Sequence, residues 1–202
     1  MSTLAFPTSL GIRAVRFGLA SNTQLFESPL NRSVQRLEIP GARWQALYEL
    51  ETAKTADVGA FQAFLVKLRG ASGTFYGYDP ARTTPLGVGT GTPLVNGGSQ
   101  TGSSLITDGW TPSTAGILQP GDYFSVNDEL KMITQSIASD SGGNATLVFE
   151  PVLRSSPADN AAITVNTPTC IMRLIDDEQA AWDVNEASFY SMSFSAIETF
   201  II

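Results

Sequence analysis

The amino-acid sequence predicts a mainly β fold: a β-sandwich with one packed helix, interrupted by an inserted small antiparallel β-barrel or sandwich domain. Short β-rich segments, separated by Gly, Pro and Asn turn residues, recur along the 202-residue chain. Helical periodicity occurs in one segment only. A glycine- and threonine-rich stretch after residue 82 interrupts the first group of strands, and regular β patterns resume beyond it. This interruption predicts the insertion.

The first fifty residues predict strands with turn residues between them. The segments are IRAVRFGLA (12–20), TQLFE (23–27), VQRLEI (34–39) and RWQALYELE (43–51). One face of the last segment carries Trp44, Ala46, Tyr48 and Leu50, and one face of VQRLEI carries Gln35, Leu37 and Ile39. Alternation with a period of two is typical of a strand with one buried face. We therefore expect both segments to bury one face.

One helix is predicted over about residues 56–69, within TADVGAFQAFLVKLRG. Its apolar side chains recur at spacings of three, four and seven, which places them on one face; they are Phe61, Phe64, Leu65 and Leu68. We expect Thr55 or Asp57 to cap the start and Gly70 to end the helix. A helix this short is only marginally stable alone, so it is expected to lie against the sheet. GTFYGYDP (73–80) then predicts another strand.

The stretch LGVGTGTPLVNGGSQTGSS opens the insertion and has the composition of a flexible linker. Its glycines do not predict a phosphate-binding loop, because no Lys-Ser/Thr pair follows them. Beyond it, short strands are predicted in ITDGW (106–110), DYFSV, ELKMITQ and ATLVFEP (145–151), and a loop with a last strand in VLRSSPADNAAITV (152–165). Short strands with regularly spaced turns predict a small barrel or sandwich.

GDYFSVNDELKMITQ (121–135) predicts a β-hairpin inside the insertion. Asn127-Asp128 is a turn dipeptide at its tip. The arms carry apolar side chains that can pack, Phe124 and Val126 on the first and Leu130 and Met132 on the second. Nothing in the hairpin indicates chemistry, so we expect it to be scaffold for the inserted domain.

The C-terminal part predicts strands that return to the first sheet. After CIMRLID (170–176) and WDV (182–184), the run ASFYSMSFSAIETF (187–200) places Tyr190, Met192 and Phe194 on one face. A long strand with one apolar face needs a sheet, and the strands of residues 12–51 are the candidate partners. The predicted domains are residues 1–82 plus 169–202, the β-sandwich with the helix, and residues 83–168, the inserted β-domain.

Composition argues against an enzyme. The chain has no histidine, which removes the usual general base and most metal-ligand sets. Its one cysteine, Cys170, excludes an internal disulfide and a thiolate metal cluster. We therefore expect no catalytic residues, no cofactor and no metal site.

Charge and hydropathy argue against two further classes of partner. Residues 1–82 carry nine Lys or Arg and six Asp or Glu, whereas residues 83–202 carry three and thirteen. This acidic second part is unfavourable for nucleic-acid recognition. No apolar run reaches the ~20 residues of a membrane helix, so no membrane span is expected. The N-terminal segment lacks the pattern of a signal peptide.

Four stretches of the sequence carry a resemblance to a known family. RLEIPGARWQALYELE, AFQAFLVKLRGASGTFYGYDP and GDYFSVNDELKMIT followed by ATLVFEPVLRSSPADNAAITV look like tail proteins of long-tailed bacteriophages. Together with the layout over about residues 34–200, they make the chain resemble the distal tail protein of siphovirus-like phages. The resemblance implies a β-sandwich with a helix, related in shape to tail-tube proteins. The family has no catalytic residues, so no site residues are carried over.

This resemblance implies a structural virion protein. Such a protein forms a homohexameric ring at the distal end of the tail tube and joins the tube to the hub or baseplate. The implied partners are other copies of the chain, the tail tube protein, and the tail hub with other tail-tip proteins. The implied location is the virion, after synthesis in the host cytoplasm without a signal peptide.

The alternative function is a carbohydrate- or receptor-binding module of the tail tip that acts through the inserted β-domain. Small β-domains bind sugars through exposed aromatic rings, and Trp110 and Tyr123 are the candidate glycan contacts. A buried anchor is the competing interpretation of Trp110. An exposed ring would favour the binding module, and a buried one would remove its support.

Carboxylate clusters are weaker candidates. The run Asp176, Asp177 and Glu178 lacks the alternating ligands and the glycine of a calcium loop, so a solvated turn is expected. Asp122, Asp128 and Glu129 lie on the predicted hairpin and are expected to be polar surface residues.

Overall fold

The structure, a computed structural model, describes residues 2–200. It confirms a mainly β fold with one α-helix in this part of the chain, α1 (Thr55–Leu68). The strands are β1 (Ile12–Ala20), β2 (Thr23–Glu27), β3 (Val34–Glu38), β4 (Arg43–Leu50), β5 (Ala53–Lys54), β6 (Phe75–Gly77), β7 (Gly91–Val95), β8 (Gly102–Trp110), β9 (Tyr123–Val126), β10 (Glu129–Ile133), β11 (Ala145–Leu153), β12 (Cys170–Leu174), β13 (Asp183–Val184), β14 (Phe189–Ser191) and β15 (Ser193–Glu198).

A five-stranded antiparallel sheet in the order β1-β4-β15-β12-β6 forms the first half of the molecule. The predicted return of the C-terminus to the first strands is confirmed, because β15 pairs with β4 with Phe194 opposite Tyr48. The predicted single long C-terminal strand is wrong. It divides at Met192, and its first part, β14, lies between β13 and β5 in a separate three-stranded sheet.

The helix covers the inner face of this sheet. The predicted face is buried, with Val58 in addition, and it belongs to the same apolar core as the buried alternate residues of β4, which are Trp44, Ala46, Tyr48 and Leu50. The predicted cap is wrong: Lys54 occupies the N-cap position, and no side chain caps the first turn. The helix ends as expected before Gly70, since Arg69 and Gly70 both adopt positive φ angles, 53° and 65°.

A second antiparallel sheet, in the order β7-β8-β11-β10-β9, forms the inserted half. Its two edges are joined by residues 161–165, because Leu94 bridges to Ala162 and Ser125 bridges to Thr164. Two isolated bridges thus replace the predicted last strand. The glycine-rich stretch is not a flexible linker, since β7 and the start of β8 lie within it. The closed arrangement surrounds its own apolar core.

The β9–β10 hairpin is confirmed and lies between the two cores. Asn127 and Asp128 have φ angles of 51° and 60°, the conformation of a two-residue hairpin turn. Phe124 and Val126 belong to the core of the inserted half, whereas Leu130 packs in the core of the first sheet. The hairpin is therefore shared by both halves and is more than scaffold for the inserted one.

The two halves draw on different parts of the chain. The five-stranded sheet uses strands from residues 12–77 and 170–198, and the inserted half uses residues 91–165. The boundaries predicted at residues 82 and 168 lie in the segments between these groups and stay a prediction.

Candidate assembly interface

The outer edge of β1 is open over its whole length. Among residues 2–200, β1 pairs only with β4, and no backbone hydrogen bond joins its other side to the chain. The opposite edge of this sheet and both edges of the inserted sheet are covered: Leu4 pairs with Phe75 on β6, and residues 161–165 bridge to β7 and β9. A long open edge is a ready template for pairing with another chain. We call the outer side of β1 the open edge.

The β2–β3 hairpin extends the open edge. β2 follows β1 after Ser21-Asn22, and the Ile39 N–H donates to the Asn22 carbonyl (2.8 Å) where β3 turns into β4. Every residue of both strands is exposed. The hairpin therefore makes no buried contact with the rest of the described chain.

The expectation that VQRLEI buries one face is wrong. Leu37 is 59% exposed and Phe26, on the same face, is 64% exposed; Leu25 and Val34, on the other face, are 67% and 51% exposed. The alternating residues of VQRLEI lie in a two-stranded ribbon, and no other part of the described chain packs on either face of this ribbon. Apolar side chains exposed in this way on both faces are typical of a segment that is covered by another chain.

The inserted half is fixed to the five-stranded sheet close to the open edge. The Trp44 indole N–H donates to the Leu130 carbonyl (2.8 Å) across the two halves. The Tyr123 ring stands edge-on to Trp44, with centroids 5.4 Å apart, and also contacts Phe17 of β1. Phe17 in turn stacks on Trp44. The inserted half thus supports the inner face of β1.

A buried ion pair completes this joint. Arg154 of the inserted half donates twice to Glu198 of β15, at 2.8 and 2.6 Å, and Glu198 also accepts the Trp44 backbone N–H. The Glu198 side chain is 1% exposed. The Arg154 guanidinium lies over the Phe200 ring at 3.7 Å. Two-point pairing of a guanidinium with a carboxylate fixes direction as well as distance, so it sets how the halves meet.

A second buried pair lies next to the first. The Lys131 ammonium contacts the Glu129 carboxylate at 2.8 Å, and Lys131 is fully buried. Burial lowers the Lys131 pKa, and the Glu129 charge opposes that shift. Burial would raise the Glu129 pKa, but the hydrogen bond and charge of Lys131 and the N–H of Arg154 outweigh it and lower the pKa. Glu129 also accepts from Ser155, so both charges have partners.

Both candidate glycan contacts are buried. Trp110 is 3% exposed and donates its indole N–H to the Thr107 hydroxyl (2.8 Å) inside the barrel core. Tyr123 is 6% exposed and lies in the joint described above. This burial contradicts the expectation that the two rings contact a glycan, because stacking on a sugar needs an exposed ring face.

The hairpin carboxylates are mostly not surface residues. Asp122 is 1% exposed and accepts three backbone N–H groups, from Leu86, Gly87 and Gln119, at 2.6–3.0 Å. Glu129 is buried in the ion pair, and only Asp128 is exposed as expected. Asp122 therefore ties the start of the insertion to the hairpin.

The C-terminal acidic run forms an exposed turn, as predicted. Asp176 accepts the Glu178 N–H, and Asp177 accepts the Ala71 N–H. Within residues 2–200 no group of three acidic or sulfur side chains is placed to hold a metal ion. No helix in this range is long and apolar enough to cross a membrane. Cys170 is fully buried, and burial raises its thiol pKa.

The spacing of residues in the sequence does not indicate the charged residues that make the joint. Arg154, Glu198 and Lys131 are far apart in the chain, and each reads as an ordinary surface charge. One signal was available: Arg154 and Lys131 are two of the three basic residues in an otherwise acidic part of the chain. A basic residue isolated in this way is a candidate for a specific ion pair.

No protein-family model matches this chain, and no curated protein matches it at a significant level. The resemblance to distal tail proteins therefore stays a prediction from the sequence.

Proposed function

We propose that the protein is a structural virion component that forms a ring at the distal end of a phage tail tube. The ring would join the tube to the hub and carry peripheral proteins. The observation that carries this proposal is the open edge of β1 together with its exposed hairpin. A chain that remains alone in solution normally blunts or covers such an edge.

The geometry favours a contact between unlike surfaces. A ring requires that each copy present one patch to its neighbour and receive a different patch in return. The open edge lies on one side of the five-stranded sheet, and β6 lies on the other. Repetition of such a contact builds a closed ring when the rotations between successive copies add up to a full turn. The number six comes from the resemblance alone.

The first test is the mass of the purified protein by light scattering over a concentration series. We expect a closed oligomer near six copies. Leu25→Glu places a charge on the exposed hairpin and is expected to raise the concentration needed for assembly at least tenfold, because full burial of a leucine contributes about 1.5–3 kcal/mol. Leu86→Glu is the matched control, since both leucines are 67% exposed. Equal assembly of the two variants would refute the hairpin interface.

If the wild-type protein stays monomeric in solution, its binding to purified tail tubes is the next test. Binding at tube ends that Leu25→Glu abolishes and Leu86→Glu retains would support a ring that needs the tube as a template. No oligomer and no binding to tubes would refute the proposed function.

A further inference from the structure

The β6 edge is covered by a short segment that is weakly held. The Leu4 N–H donates to the Thr74 carbonyl (2.8 Å), and the Tyr76 N–H donates to the Leu4 carbonyl (2.9 Å). The Thr3 and Thr74 hydroxyls lie 3.2 Å apart. None of residues 2–5 is buried. We call these four residues the N-terminal strap.

The strap can leave without opening the core, because the next residue anchors the chain. Phe6 contacts six aromatic rings of the core at centroid distances of 5.2–6.2 Å; they are Tyr48, Phe61, Phe64, Phe75, Tyr78 and Phe194. Peeling off residues 2–5 breaks two backbone hydrogen bonds and the Thr3–Thr74 contact, removes the partly buried Leu4 from the surface of the core, and leaves Phe6 in place. The exposed groups would then be the Thr74 carbonyl and the Tyr76 N–H.

Strand direction identifies what fits the uncovered edge. Every pair in the sheet is antiparallel, so β1, β15 and β6 run in the same direction. Leu4 pairs with Phe75 in parallel, so the strap also runs in that direction. In a ring built by rotation about an axis along the strands, β1 of the next copy would reach β6 in the same parallel sense. The strap therefore occupies the edge in the orientation that a neighbouring β1 would take.

We propose that the β6 edge is the second interface of the ring and that the N-terminal strap occupies it until β1 of another copy replaces the strap. This inference rests on the proposed function and adds to it the partner of the open edge. The strap would keep the newly made protein from assembling at random. The strap pairs with β6 through a single bridge, whereas the nine-residue β1 is long enough to pair with all three residues of β6, and this difference in paired length favours replacement.

A disulfide between residues 3 and 74 tests the inference. The double variant Thr3→Cys/Thr74→Cys brings two thiols together at side chains that already touch, and the native Cys170 is fully buried and does not compete. Oxidised and reduced samples of the same protein are compared by light scattering, so reduction is the internal control. Hydrogen exchange at the Tyr76 amide reports directly whether the strap is closed.

We expect the reduced protein to assemble and the oxidised protein to need at least a tenfold higher concentration. A second variant that lacks residues 2–5 should assemble at a lower concentration than the wild type. If oxidised and reduced samples assemble alike, the inference is overturned while the ring proposal stands. A dimer that forms regardless of oxidation would indicate β1–β1 pairing and would overturn it too. If no form assembles, alone or on tail tubes, both proposals fail.

Discussion

Replacing Arg154 with methionine should loosen the joint between the two halves. Methionine keeps the apolar stem but removes both hydrogen bonds to Glu198, whose side chain is 1% exposed. Breaking a buried pair by removing one partner typically costs about 3–5 kcal/mol, because the remaining charge is buried without a partner. For a chain of this size each kcal/mol lowers the melting temperature by about 2–4 °C, so we expect a drop of roughly 6–20 °C.

The chain offers a matched control for this variant. Arg13 pairs with Glu49 at 2.7 Å, nearly the same distance as the 2.6 Å of Arg154 to Glu198, but the two side chains are 66% and 38% exposed. Arg13→Met should therefore cost less than about 1 kcal/mol. Because the two pairs share chemistry and shortest distance, the comparison reports the combined effect of burial and of the second hydrogen bond that Arg154 makes to Glu198.

Thermal unfolding by calorimetry measures both variants and the double variant Arg154→Met/Glu198→Gln. Neutralising Glu198 removes the unpaired buried charge, so the double variant should recover part of the stability lost in Arg154→Met. Two results would refute the reasoning: a loss for Arg154→Met no larger than for Arg13→Met, or a double variant at least as unstable as the single one. Either result would mean that solvent reaches the joint and that the pair does not hold the halves together.

Three further predictions concern buried polar groups. Glu129 has a lowered pKa in the folded protein, so the stability it contributes is present above its unfolded pKa and is lost as pH falls through the lowered value. The difference in unfolding free energy between wild type and Glu129→Gln, measured by urea denaturation, should therefore be smaller at about pH 3 than at pH 7. Burial and the nearby Asp79 charge raise the pKa of Tyr123 to about 12, so the free energy of unfolding should fall from about pH 10, where the unfolded tyrosine ionises, up to about pH 12. Tyr123→Phe should lose less stability than the wild type over that pH range. Asp122→Ala leaves three backbone donors without their acceptor and should cost about 3 kcal/mol, or about 9 °C in melting temperature, whereas an unchanged melting temperature would show that water replaces the carboxylate.

Local patterns predicted the fold well where a strand or helix buries one face in this chain. The alternation of β4 and the helical spacing of Phe61, Phe64, Leu65 and Leu68 are both realised, because burial on one side is what produces such a pattern. The linker composition of the glycine-rich stretch is misleading for a related reason. Its strands are held by backbone pairing and by closure of the barrel, and neither leaves a strong mark on side-chain identity.

Patterns that depend on distant contacts were not predictable. VQRLEI alternates like a buried strand, but the layer that would bury it is not part of the described chain. The local sequence around Trp110 and Tyr123 does not distinguish an exposed ring that stacks on a sugar from a ring buried in a core. Only the packing of the folded chain determines which of the two it is. The joint, made by Arg154 with Glu198, joins residues 44 positions apart, a separation at which sequence spacing carries no information.

The position of the joint gives the open edge a physical advantage in assembly. Edge strands fray, and a frayed strand loses conformational entropy when it pairs with a partner, which weakens association. Here Phe17, in the middle of β1, is held by Trp44 and by Tyr123 of the inserted half, so the strand is supported on its inner face. Binding that needs less ordering leaves more of the contact energy as affinity. The inserted half therefore contributes to the interface by keeping β1 in pairing geometry, although it lies behind the edge. Weakening the joint should reduce assembly even in variants whose hairpin and strap are unchanged.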